Sequence, residues 1–268
     1  MATIDALLGA LDLAPAGPGA FRAGNADTGQ PVIFGGQLLA QAVVAALRAD
    51  DGGKRVKTVH TVFVRGGSPD APVEILVDRM HAGRAFASST VSISQGDALC
   101  ARSLVLLSAD EPDFVHHADP APDVGSPDDA ATVGETGSAF EIRYAGDVDI
   151  DDPGLVGPPD LDVWVRAPGA PDDPGVAQAL LAYISDGFLI ATAMRPHEGV
   201  GQSQAHVRVA TSVVSHTLTF HRPLSVRGWL LLSHHSDFTG GGRCHGRASV
   251  FAGAELLASY VQDGLLRG

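Results

Sequence analysis

Hydrophobic positions along the chain follow two periods in turn. Residues 4–11 space their apolar side chains as a short helix, and Pro15, Gly17, Pro18 and Gly19 follow it. Residues 37–47 (Gln37-Leu38-Leu39-Ala40-Gln41-Ala42-Val43-Val44-Ala45-Ala46-Leu47) are apolar nearly all round, with no charge before Arg48, which predicts a fully buried helix. Gly35-Gly36 just ahead of it suits a close-packed start. The period then changes to two. Residues 57–64 are rich in β-branched side chains, 73–79 and 85–94 alternate, Gln95-Gly96-Asp97 reads as a turn, and 98–108 alternate again. One buried helix followed by antiparallel strands is an α+β pattern.

Residues 109–140 break the pattern with Asp110-Glu111-Pro112-Asp113, Asp119-Pro120-Ala121-Pro122-Asp123 and Ser126-Pro127-Asp128-Asp129, an acidic, proline-rich linker. The plan then returns: strands at 140–144 and 161–166, a long apolar helix at 175–194, and strands at 207–220, 229–234, 244–251 and 256–266. The halves can be superposed. His60-Thr61-Val62 matches His216-Thr217-Leu218 at an offset of 156, Gly83-Arg84 matches Gly242-Arg243 at 159, and Gly96, Leu99 and Ala101 match Gly253, Leu256 and Ala258 at 157. A buried helix wrapped by a curled antiparallel sheet is the hotdog unit. The expected architecture is therefore a tandem double hotdog, with two antiparallel sheets each wrapped round a central helix and the two helices on opposite sides. Residues 1–108 form the first unit, 109–140 the linker and 141–268 the second.

Composition narrows the function. With 45% hydrophobic and 18% charged residues, the chain can bury a large core. A formal net charge of -13 repels phosphate backbones and argues against nucleic acid. An anionic small molecule would need a local patch of positive charge. Cys100 and Cys244 stand alone, as buried small hydrophobes. His116-His117 and His234-His235 lack zinc spacing, so no metal is expected. The start Met1-Ala2-Thr3-Ile4-Asp5 has no basic, apolar leader pattern, and no stretch reaches the roughly 20 uninterrupted apolar residues of a membrane helix, so a cytoplasmic protein is expected. Neither a G-x-S-x-G elbow nor a glycine-rich nucleotide loop is present. Assembly into homo-oligomers is left open.

Several motifs, in order along the chain, carry a resemblance. Phe34-Gly35-Gly36-Gln37 with Gln41-Ala42, Val59-His60, Asp70-Ala71-Pro72-Val73 and Gly83-Arg84-Ala85-Phe86 are similar to the N-terminal half of the acyl-CoA thioesterase II family. Ser185-Asp186, Arg195-Pro196-His197, Phe220-His221-Arg222-Pro223, Trp229-Leu230-Leu231 and Val261-Gln262-Asp263-Gly264-Leu265 resemble its C-terminal half. The resemblance implies a double hotdog that hydrolyses acyl-CoA to free acid and coenzyme A without a cofactor, using an Asp, a Ser or Thr hydroxyl and a Gln to activate water.

Those positions also read physically. Asp186 has Ala182, Tyr183, Leu189 and Ile190 as its helical neighbours, so no local cation compensates a buried carboxylate. Such a group has a raised pKa and suits a general base. Gln262 shares a strand face with Ala258 and Tyr260 and can hold a water; its partner at an offset of 157 is Val105, which leaves the chemistry to the second half. Counting back without gaps from Phe220-His221-Arg222-Pro223, the family's hydroxyl position falls on Val213. A two-residue insertion brings Thr211 there, the preferred candidate, with Ser215 as the alternative. The N–H groups near Gly36 are expected at the oxyanion, and Arg84 and Arg243 at the coenzyme A phosphates. The rival readings are a non-catalytic acyl-thioester binding protein, a hotdog enoyl-CoA hydratase and a structural subunit.

Overall fold

The computed structural model describes residues 2–133 and 137–268, so residues 134–136 of the expected linker lie outside the described part. Four helices form. Helix α1 (Ile4–Leu11) is capped by the Thr3 hydroxyl, which accepts from the Ala6 N–H at 3.3 Å. Helix α2 spans Gly35–Ala49 and buries nearly its whole surface. Helix α3 (Pro174–Ser185) starts with Pro174 at its first position and the Asp173 carboxylate capping the Val176 N–H at 2.8 Å. Helix α4 (Leu189–Met194) continues the same apolar run after a break at Asp186-Gly187-Phe188. Residues 174–194 are thus two helices where the hydrophobic pattern predicts one. This 21-residue run is long and apolar enough by composition to cross a bilayer, which the sequence reading missed because Asp186 interrupts it, but most of it is buried inside the protein.

Among the described residues thirteen strands make one antiparallel sheet. In chain order they are β1 (Ala14–Gly17), β2 (Ala20–Ala23), β3 (Arg55–Phe63), β4 (Val73–Ala82), β5 (Phe86–Gln95), β6 (Ala98–Ser108), β7 (Ala131–Val133), β8 (Glu141–Tyr144), β9 (Asp160–Arg166), β10 (Ala210–Phe220), β11 (Leu230–Gly240), β12 (Arg243–Ala252) and β13 (Glu255–Arg267). Their spatial order is β1-β2-β4-β5-β6-β3-β10-β13-β12-β11-β9-β8-β7. The two expected sheets are therefore joined into one, through β3 and β10, paired from Ser215↔Val62 to Thr219↔Thr58. Short β1, β2 and β7 lie toward the sheet edges; they are three or four residues long, too short for an alternation to be read. Strand β10 starts at Ala210 rather than 207 because the chain before it turns, with His206 at a φ of 61°.

The duplication is written into the bulges. Register breaks at Val56/Thr58, Arg79/His81 and Ile93/Ser94 recur at Val213/Ser215, Ser236/Phe238 and Val250/Phe251, each 157 residues on (213 − 56 = 157). This register corrects two of the sequence matches. Val59, not His60, is the counterpart of His216, since a one-residue slip carries a strand side chain to the opposite face. His60 faces outward and bonds the Thr217 hydroxyl at 2.7 Å. Likewise Arg84 corresponds to Gly241, and Arg243 to Phe86. The pair Val59↔Val105 becomes His216↔Gln262.

The architecture is a double hotdog, with a further departure from expectation: α2 and α3 pack on each other instead of lying on opposite sides. Gly36 makes this possible, because a Cβ there would stand 2.2 Å from the Tyr183 carbonyl oxygen. One continuous core results. Leu39, Val43, Val59, Val91 and Val105 from the first half and Leu180, Leu181, Leu218 and Leu232 from the second all belong to it, each fully buried Leu or Val contributing about 1.5–3 kcal/mol.

Candidate active site

The break between α3 and α4 is where polar chemistry enters this core. Asp186 caps α3 in helical geometry, and its neighbour Gly187 is exposed while Asp186 itself is 7% exposed. Its carboxyl meets the first turn of α2, where the Gly36 N–H donates to it. A Cβ at Gly35 would stand 2.7 Å from Asp186 Oδ2 and 3.3 Å from the Phe63 ring, so only glycine lets helix start and carboxyl approach this closely.

From the sheet side comes Gln262, 2% exposed, whose Nε2 donates to Asp186 Oδ1 at 3.1 Å. Directly across the β10–β13 ladder stands His216, fully buried. Its Nε2 lies 3.1 Å from the Ser185 hydroxyl, and that hydroxyl donates to the Ala182 carbonyl at 3.0 Å. The network therefore places the imidazole proton on Nε2 and leaves Nδ1 an acceptor, 3.8 Å from Asp186 Oδ1. Among the described residues neither His216 Nδ1 nor Gln262 Oε1 has a hydrogen-bond partner. Behind them Tyr260 stacks on His216 at 5.3 Å and bonds His234, which in turn reaches the Leu161 carbonyl at 2.8 Å.

Burial dominates the electrostatics. It pushes the Asp186 carboxyl up from 3.8 to about 8, against the opposing hydrogen bonds from Gln262 and Gly36. It pushes His216 down to about 3, so the imidazole stays neutral at any ordinary pH. The site thus holds a carboxyl poised near neutrality beside a neutral imidazole and a primary amide. Such a set can take a proton from water at an adjacent electrophile.

The structure brings together Asp186, Gln262 and Gly36 and separates the other sequence candidates from them. Thr211 pairs with Leu266, four residues beyond Gln262 on β13, or about 13 Å along the strand, and its hydroxyl lies 3.5 Å from His206 Nε2. The β10 bulge leaves Thr211 and Val213 on the same face as His216, the three standing opposite Leu266, Gly264 and Gln262 respectively, and turns Ser215 to the other face, so distance along the strand and not orientation removes Thr211 from the site. Ser215 points outward and donates to Asp263 at 2.8 Å. Arg84 is exposed in the β4–β5 connection of the first half, and Arg243 is exposed at the start of β12. Sequence reasoning missed His216 and Ser185 as members of this cluster. The contrast of His216 with Val59, once the odd offset of 157 is used, was the signal that could have found the histidine.

Comparison with known proteins agrees with this geometry. Residues 22–108 match the family model of the acyl-CoA thioesterase N-terminal domain, and residues 114–266 that of the C-terminal domain. The chain is 30% identical over 269 residues to acyl-CoA thioesterase 2 of Haemophilus influenzae, covering 92% of each protein. It is 29% identical to mouse acyl-coenzyme A thioesterase 8, over 88% of this chain and 80% of that one. Among solved structures, the tesB protein of Mycobacterium avium subspecies paratuberculosis superposes with a TM-score of 0.85 at 25% identity, covering 99% of this chain and 100% of that one. An acyl-CoA thioesterase II of Mycobacterium marinum gives 0.81 at 27%, covering 97% and 98%. Matched in both halves by the family's paired domain models, the chain belongs to the acyl-CoA thioesterase family.

Proposed function

We propose that the protein hydrolyses acyl-CoA thioesters to free acid and coenzyme A by direct attack of water, with Asp186 as general base and Gln262 holding that water. The observation that carries this reading is the 3.1 Å contact of Gln262 with a buried carboxyl whose pKa lies near 8. Ionised Asp186 accepts a proton from the water as its oxygen attacks the thioester carbonyl, and the C–S bond breaks to release a thiolate, which needs little acid assistance. With one hydrogen of that water directed to Asp186, a lone acceptor, His216 Nδ1 or Gln262 Oε1, can take the other. In place of the family's hydroxyl, His216 is the third polar side chain at the site. The N-terminal end of α2, carrying partial positive charge beside Asp186, is the nearest source of stabilisation for the oxyanion.

In this reading residues 1–108 and 141–268 are the two hotdog units, 109–140 is the linker, and the protein serves lipid metabolism in the cytoplasm. Hydration of 2-enoyl-CoA is a second reading, favoured by the proximity of Asp186 and His216. One assay separates the two: purified protein with a panel of saturated and 2-enoyl-CoAs, followed for free thiol and for enoyl absorbance. Thiol release from saturated acyl-CoA, abolished in Asp186→Asn, is expected. Loss of enoyl absorbance without thiol release would replace this reading with the hydratase.

A further inference from the structure

An antiparallel sheet that packs one face on helices ordinarily turns polar side chains outward on the other. The outer face of the four central strands departs from that rule. In the order β6-β3-β10-β13, one row across it reads Leu104, His60, Thr217 and Val261, and the next reads Arg102, Val62, Ser215 and Asp263. A third row runs from Leu106 through Thr58 and Thr219 to Ser259. Leu104 is 51% exposed, Val62 43%, Val261 40% and Leu106 37%. These rows hold no lysine or glutamate, and their two charges, Arg102 and Asp263, stand at opposite ends of one row. An exposed apolar strip with so little charge at its centre has the make-up of an interface core.

The face is also self-complementary. Leu104 and Val261 are counterparts in the duplication (261 − 104 = 157), as are His60 and Thr217 (217 − 60 = 157). A second copy turned about an axis that runs along the strands, over the β3–β10 seam, reverses each row. Leu104 then meets Val261 of the second copy, and Arg102 meets its Asp263. Arg102 bonds the Ser92 hydroxyl at 3.1 Å and has no carboxylate partner among the described residues. Asp263, bonded to His245 and Ser215, keeps lone pairs for it. An axis across the strands instead sets Arg102 on Leu106 and Asp263 on Ser259, so charge complementarity selects the first. From β5 to β12, six strands about 4.8 Å apart and three rows about 6.8 Å apart give a projected face of about 600 Å². Its accessible surface is larger and is on the order of the roughly 800 Å² that each partner brings to a stable interface.

We propose that this face binds a second copy of the chain, the two sheets packing back to back about the axis along the strands. Aligned sheets cross at about 30°, which displaces facing rows least near the axis, and the long Arg102 side chain spans the shift at the end of its row. The contact is isologous, so the Leu104–Val261 and Arg102–Asp263 pairs each form twice. His216 and Gln262 lie on the inner face of β10 and β13, so the contact leaves both copies of the Asp186 cluster uncovered.

Sedimentation equilibrium of the full-length protein at micromolar concentration is the test. The wild type should weigh about 55 kDa, twice the 27.6 kDa of one chain. Leu104→Glu, at an exposed position, should leave circular dichroism native and halve the mass. Arg102→Asp and Asp263→Arg each set like charges together twice and should raise the dimer dissociation constant at least about tenfold, and the double variant should return it to within about threefold of the wild type. A wild type of 27.6 kDa overturns the proposal and leaves this face to a different partner. A dimer that neither Leu104→Glu nor the single charge swaps weaken overturns it as well, because the copies then meet elsewhere. Charge swaps that weaken the dimer without rescue in the double variant overturn the axis along the strands.

Discussion

Replacing Asp186 with Asn isolates the cost of keeping a carboxyl in the core. In the unfolded chain this group ionises near 3.8, whereas in the folded protein burial raises it to about 8. Between pH 5 and pH 8 the folded state therefore holds a proton that the unfolded state has lost. With fewer protons on the unfolded chain, stability falls as pH rises, by about 1.4 kcal/mol per pH unit, or about 4 kcal/mol over the interval. Above pH 8 the loss levels off. Asn keeps the shape and can still accept from Gln262, but it does not titrate. Urea unfolding of the wild type and of Asp186→Asn at intervals from pH 5 to pH 9 gives the two curves, and their difference cancels every other titrating group. The variant should gain about 4 kcal/mol on the wild type across this range. A constant difference would refute a desolvated, protonated carboxyl at this position and remove the basis for its role as a base tuned near neutrality.

Three further substitutions probe the surroundings. Gly35→Ala places a methyl group 2.7 Å from Asp186 Oδ2, so kcat should fall at least tenfold while circular dichroism stays native. Gln262→Ala removes a hydrogen bond that favours the ionised form of Asp186; kcat should drop about 10- to 100-fold, and the pKa seen in the rate profile should move further up. Thr211→Val should leave kcat/KM for acyl-CoA within about twofold, because its hydroxyl faces His206 and not the carboxyl; a large loss would return Thr211 to the site.

Most of the helix and strand plan was legible from periodicity because long, half-buried strands and all-apolar helices leave strong patterns. Strand β6 (Ala98–Ser108) and helix α1 (Ile4–Leu11) match the expected spans end to end. What the pattern could not carry was relative placement. Helix α2 is apolar on all sides, so nothing in its sequence distinguishes a sheet partner from a helix partner; the clue was Gly36, whose missing side chain admits Tyr183. The break after Ser185 was marked only by the turn-prone pair Asp186-Gly187 inside an otherwise apolar run. At the site, Asp186 and Gln262 were readable because a lone acid and a lone amide interrupt greasy runs. His216 was masked by its neighbour in the sequence match, His60, one register away. Ser215, read as sharing a face with Thr211 and Val213, turns outward because a β-bulge changes which residues face inward without any mark in composition, and Thr211 stands four residues along the strand from the Gln262 position.

The pH dependence of kcat/KM for acyl-CoA reports the ionisation of the free protein's essential base. With Asp186 in that role, the rate should climb about tenfold per pH unit below pH 7 and level off above about pH 8, and Asp186→Asn should show neither the climb nor more than a small residue of the rate. A wild-type profile already flat from pH 5 to pH 9, or a variant as active as the wild type, would mean that the water is activated by some other group.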